Sequence, residues 1–180
     1  MHEGENLERI LLKEQLGYYR LQRHDFLNHG QVIMGYLQLG KNEKALEYMR
    51  TAIRGLEAEQ SVGQIPQETA GAIILGFIIS LQKEGIPVEF YLEKQMKTEL
   101  YWKEFWQEEY GQALYGYTNE CIRILYEKYR GIDGKHPDVY LDLEGCNGFF
   151  FHLKVMQGEK VVWENRLELV KNVQNMELND

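Results

Sequence analysis

The chain is short of cysteine, of net positive charge and of long apolar runs, and each shortage removes a class of function. Its two cysteines, Cys121 and Cys146, stand far apart without metal-type spacing, so neither a disulfide framework nor a zinc site is expected. Both read as reduced core thiols. A formal net charge of -8 leaves no basic footprint for a phosphate backbone, which excludes nucleic acid as a partner. No stretch approaches the roughly eighteen apolar residues that a membrane span needs. The acidic start (Glu3, Glu5, Glu8) is unlike a signal peptide, so a cytoplasmic protein is expected. Walker-type loops, HExxH, GxSxG and clustered cysteine ligands are missing too. What is present, 44% hydrophobic and 12% aromatic residues in 180, suits a folded chain of one ordinary domain or two small ones.

From Asn6 to Leu39 apolar residues recur at helical spacing, with Leu7, Leu11, Tyr18, Leu21, Val32, Tyr36 and Leu39 on one broad face. One long helix is predicted. Gly40 ends it and Asn42 is placed as the N-cap of a second amphipathic helix, carried by Ala45, Met49, Ala52, Ile53 and Leu56 and ending near Gly63. Two antiparallel helices bury too little apolar surface alone, and the first is too long for the second to cover. A second copy would complete a four-helix bundle; cover from the downstream chain is the alternative. Gln64-Ile65-Pro66 reads as a linker, dividing residues 1–63 from 64–180. Beyond it come a nearly all-apolar helix (67–84), a strand (88–92), a long helix (102–129) stopped at Gly131, and three strands at 139–143, 149–155 and 161–169 joined by turns at 145–148 and 157–160. Helices on one face of a mostly antiparallel sheet make this part an α+β layer. The last residues, 172–180, are polar and read as a frayed end.

Within the first helix stands Arg23-His24-Asp25-Phe26-Leu27-Asn28. A lone histidine on a helix face is usually a surface residue. This one has an acid beside it and an amide one turn on. Neutral imidazole accepts a phosphoryl group on one nitrogen when the other holds the proton, and Asp25 is suited to fix that tautomer. Asn28 is placed to bond a phosphoryl oxygen or a water, and Arg20 or Arg23 to offset phosphate charge. His24 lies roughly 90° from the centre of the apolar face, and His29 is displaced from it by roughly 140°, so His29 is expected to pack elsewhere. The strip Gly17, Arg20, Leu27 and Gln31 beside His24 is a candidate docking surface, with Leu27 as its apolar contact. His2, His136 and His152 have no ligand partner at useful spacing.

The stretch from Arg23 through Gly40, with residues 43–48, closely resembles the phosphoacceptor helical hairpin of the sporulation initiation phosphotransferase B family, shared with citrate- and fumarate-type sensor histidine kinases. The region 67–92 looks like the first helix and strand of a kinase ATP-binding domain. Where such kinases carry an Asn-rich magnesium-ATP box, this chain has Gly116-Tyr117-Thr118-Asn119-Glu120-Cys121, and the glycine-rich boxes that follow in kinases are missing. The resemblance implies a dimeric four-helix bundle plus a C-terminal α/β sandwich like a degenerate kinase ATP-binding domain. It further implies a phosphotransferase that moves a phosphoryl group between response-regulator receivers through His24, without ATP, with no cofactor of its own and magnesium supplied by the receiver. A dimerising kinase remnant that sequesters a regulator or kinase without transfer is the competing expectation, followed by a minimal autokinase.

Overall fold

The computed structural model describes residues 6–129, 137–145 and 148–170. Expectations placed on His2, Gly131, His136, the turn at Cys146 and Asn147, and the 172–180 end lie outside the described residues. Helix α1 spans Leu7–Gln38. The Asn6 side chain caps it by accepting from the Glu8 N–H at 3.0 Å. At 1.5 Å per residue it runs about 48 Å. It stops at Gly40, whose φ of 67° is left-handed. There the Gly40 N–H donates to Leu37 O and the Lys41 N–H to Tyr36 O, closing the last turn in a Schellman motif. That closure moves the next start: Lys41 O already accepts from Ala45 N, so Lys41 is the cap residue and Asn42 is the first residue of α2, Asn42–Gly55, with no side-chain cap.

The second helix is broken where one continuous helix was expected. After Gly55 the helix is interrupted at Leu56, and α3, Glu57–Val62, buries Ala58 and Val62. Glycine is a weak helix former, and here Gln82 Nε2 donates to Gly55 O at 3.1 Å from outside the hairpin.

Helix α4, Glu68–Lys83, is capped by Gln67, which accepts from Ala70 N at 2.7 Å. Ile73, Ile74, Phe77, Ile78 and Leu81 are buried, as its unbroken apolar run requires. A second Schellman turn at Gly85, φ 77°, ends it and delivers the chain to β1, Val88–Leu92. The expected 102–129 helix is two pieces. A 3-10 turn at Lys94–Lys97 leads into α5, Glu99–Phe105, then Trp106 and Gln107 leave helical geometry before α6, Glu108–Tyr129. Aromatic packing accounts for the break. Trp106 meets Phe149 edge-on at 6.0 Å and Tyr110 at 6.0 Å, while Trp102 Nε1 donates to Met96 O.

Strands β2 (Asp138–Glu144), β3 (Gly148–Gln157) and β4 (Lys160–Val170) complete a sheet in the order β1-β2-β3-β4. β1 pairs with β2 in parallel and the other pairings are antiparallel. A two-residue turn at Gly158, φ 64°, joins β3 to β4, and a bulge at Val155/Met156 shifts their register. Alternate residues Val139, Leu141, Leu143, Phe151, Leu153 and Val155 are buried against the helices. The fold is thus α+β, a helical N-terminal region followed by a four-stranded mixed sheet.

The buried cluster also takes in Leu7, Leu11, Ala58 and Val62. The first turns of α1 therefore belong to the same core as the sheet. Gln15 Nε2 donates to Ala72 O at 3.1 Å and Tyr115 Oη to Glu14 at 2.8 Å, fixing α1 against α4 and α6. The tip-side half of α1 pairs with α2 instead. Among the described residues no helix is long and apolar enough to cross a membrane.

Candidate functional site

His24 sits near the middle of α1, where the helix has left the core, and its side chain is 71% exposed. Two neighbours approach one ring nitrogen. Asn28, one turn on, has its side-chain nitrogen 3.1 Å from His24 Nδ1, and Asp25 Oδ1 lies 3.4 Å from the same atom. Nε2 bonds to no described residue.

The chemistry depends on where the ring proton sits. An ionised carboxylate only accepts, so Asp25 favours a proton on Nδ1. The two ends of an amide have nearly the same shape, and turning Asn28 over gives an Oδ1 that accepts from that Nδ1–H as well. Both neighbours then stabilise one tautomer, and the Nε2 lone pair points outward. In the opposite tautomer Nδ1 accepts from the Asn28 amide, Asp25 has no donor on the ring, and Nε2 carries the proton.

Arg20, Arg23, Leu27 and Gln31 are all exposed on α1, Leu27 at 55%. Neither arginine forms an ion pair with a described residue. Arg20 lies one turn before His24 and reaches into a cleft of about 700 Å³ between α1 and the end of α4, which it lines with Glu14, Gly17, Ser80 and Lys83. His29 is on another side of the helix, its Nδ1 2.9 Å from the Tyr48 hydroxyl of α2.

A groove between α1 and α2 was not foreseen in the sequence. About 500 Å³ in volume and mostly apolar, it is lined by Asp25, Phe26, His29, Tyr48, Ala52 and Leu56, among others. Burial there pushes the Glu59 carboxyl above the usual range, against the effect of a 2.5 Å bond from Gln22. The signal available in advance was the pairing of small Ala52 and Gly55 opposite bulky Phe26.

In the stretch 116–121, Tyr117, Thr118 and Cys121 turn inward while Gly116, Asn119 and Glu120 are exposed. Tyr117 meets Phe151 edge-on at 5.6 Å, and Thr118 is buried and donates to Leu114 O. Burial pushes the Cys121 thiol up to about 11 and raises the Tyr117 hydroxyl far above its ordinary value. Asn119 is exposed. Among the described residues no three His, Cys, Asp or Glu side chains gather in a way that could hold a metal ion.

Residues 6–65 match the family described as the sensor kinase SpoOB-type, alpha-helical domain. Over 84 residues the chain is 32% identical to the sensor protein CitS of Halalkalibacterium halodurans, a match covering 45% of this chain. The hairpin is related to those of sensor histidine kinases. The match spans 15% of the length of CitS, and the family match over 6–65 includes the α1 turn that carries His24.

Proposed function

We propose that this chain is a phosphorelay histidine phosphotransferase, of the kind found in sporulation phosphorelays, in which His24 carries a phosphoryl group between receiver domains of response regulators. The observation that carries the reading is the convergence of Asp25 and Asn28 on Nδ1 of an exposed imidazole, an arrangement that leaves Nε2 for attack once the proton is on Nδ1. The Nε2 lone pair bonds to the phosphorus of an aspartyl phosphate as the phosphorus–oxygen bond to the aspartate breaks, and that oxygen leaves as carboxylate. A second receiver's aspartate takes the group back by the reverse step. Acyl phosphate and phosphohistidine are close in energy, so the work is alignment and charge compensation.

Arg20 and Arg23 supply positive charge beside His24, and Leu27 and Gln31 extend its face as a docking surface. Magnesium comes with the receiver. ATP takes no part, and the layer from residue 64 onward acts as a degenerate kinase-like domain that supports the 1–63 hairpin. The working form is a cytoplasmic homodimer. Leu12, Leu16, Tyr19, Phe26 and Leu37 on α1, at steps of four, three, seven and eleven that return to one face, and Leu46, Met49 and Ile53 on α2 with Leu56 just after it, at three- and four-residue spacing, form two exposed stripes. They present on the order of 900 Å² of apolar surface per protomer, against about 800 Å² per partner in a standard interface. Two stripes side by side on one hairpin are closed together by the same surface of a second hairpin, giving a four-helix bundle.

The test is transfer from a radiolabelled phosphorylated receiver. Wild type and His29→Ala are expected to take label, and His24→Ala none. Equal labelling of His24→Ala contradicts the assignment. Receiver binding that survives His24→Ala, with no label on any variant, favours the binding-module alternative instead.

A further inference from the structure

Asp25 has two neighbourhoods. It is the carboxylate beside His24 Nδ1, and it also forms part of the wall of the apolar groove between α1 and α2. We propose that a second copy of this chain, by covering the groove where Phe26 and Leu56 stand, sets the tautomer of His24 through Asp25. The dimer then carries the reactive imidazole and the separated protomer does not. This rests on the phosphoacceptor reading above.

In the single protomer Asp25 is divided between ring and water. Its Oδ1 is 3.4 Å from Nδ1, longer than the roughly 2.7–2.9 Å of a strong charge-assisted bond, and its side chain is 53% exposed. The neutral ring of a histidine in water carries its proton mainly on Nε2. That form leaves Nδ1 to accept from Asn28 and takes the lone pair away from the outward nitrogen. Removing water from the groove leaves Nδ1–H as the nearest donor to the carboxylate, and the lower local dielectric strengthens their attraction. The proton then settles on Nδ1, Asn28 presents its oxygen, and Nε2 becomes the nucleophile.

The second copy is the occupant because Phe26, 75% exposed, and Leu56, 45% exposed, line the groove and also belong to the two stripes whose combined area suits a dimer interface. The other titratable groups facing the groove are already engaged. His29 and Tyr48 bond each other at 2.9 Å, and Glu59 is held by Gln22 at 2.5 Å. Arg23 lies beside His24 on the exposed surface of α1 and makes no ion pair with a described residue.

The experiment compares wild type, the double variant Leu37→Glu/Leu46→Glu, which alters the stripes near the hairpin tip and away from the groove, and Asp25→Asn. Sedimentation reads the mass, nitrogen-15 spectra of the His24 ring read the tautomer, and circular dichroism confirms the helices. Wild type is expected to be a dimer with the proton on Nδ1. The double variant is expected to be a folded monomer with the proton moved towards Nε2 and labelling from a phosphorylated receiver slowed roughly tenfold or more. Asp25→Asn is expected to stay dimeric and show the monomer's tautomer. A folded monomer that keeps the wild-type tautomer overturns the proposal, as does a wild type that holds Nδ1–H while monomeric. If the tautomer follows the mass but no variant ever takes label, the coupling stands and the phosphotransfer reading fails.

Discussion

At the scale of the residue, the approach of Asn28 to His24 was legible because helical spacing decides it: residues four apart on an α-helix are neighbours on one surface, whereas Asp25 reaches the ring only as the adjacent residue. What spacing does not contain is which ring nitrogen the neighbours choose. Both approach Nδ1, and the proposed tautomer switch rests on that detail. Glu59 was not legible at all, since its setting is made by Gln22 and the groove, which come from different elements. Burial raises its folded-state pKa above the unfolded value, so the ionised form weighs against the fold. Stability is therefore expected to fall as pH rises through and above the ordinary carboxylate range. Glu59→Gln keeps a hydrogen-bonding side chain and removes the charge. Urea titrations at several pH values between about 4 and 7, the span in and above the range of an unperturbed carboxylate, should show a flatter pH dependence for this variant than for wild type, and an unchanged slope would contradict the role given to Glu59.

At the scale of the element, periodicity placed α1, α4 and all four strands closely, since each has one continuous pattern of period 3.6 or 2. It failed where tertiary contacts cut a continuous pattern. The 42–63 helix breaks at Leu56, where Gln82 takes the Gly55 carbonyl, and the 102–129 helix breaks at Trp106, where an aromatic cluster around Phe149 bends the chain. The glycine stop at position 40 was readable because it needs only local geometry. With φ at 67° and no atom within 4 Å of an added Cβ, Gly40→Ala meets a conformational cost and no clash. A loss of about 1 kcal/mol is expected in urea unfolding. A neutral effect would show that the hairpin turn relaxes without the left-handed residue.

At the scale of the whole molecule, a cut at residues 63/64 follows the linker composition, while the buried core runs across it from Leu7 and Leu11 through Val62 to the sheet. Sequence composition marks loops, not which helix end a core will recruit. The result is a long helix rooted in the C-terminal layer, with His24 beyond the root and two apolar stripes exposed. The chemistry of that histidine decides the proposed function. Phosphorus and nitrogen-15 spectra of the protein after exposure to a phosphorylated receiver test it most directly. A phosphoryl group bonded to Nε2 of His24 is the predicted result, and phosphate on Nδ1, on another residue or on none would contradict it.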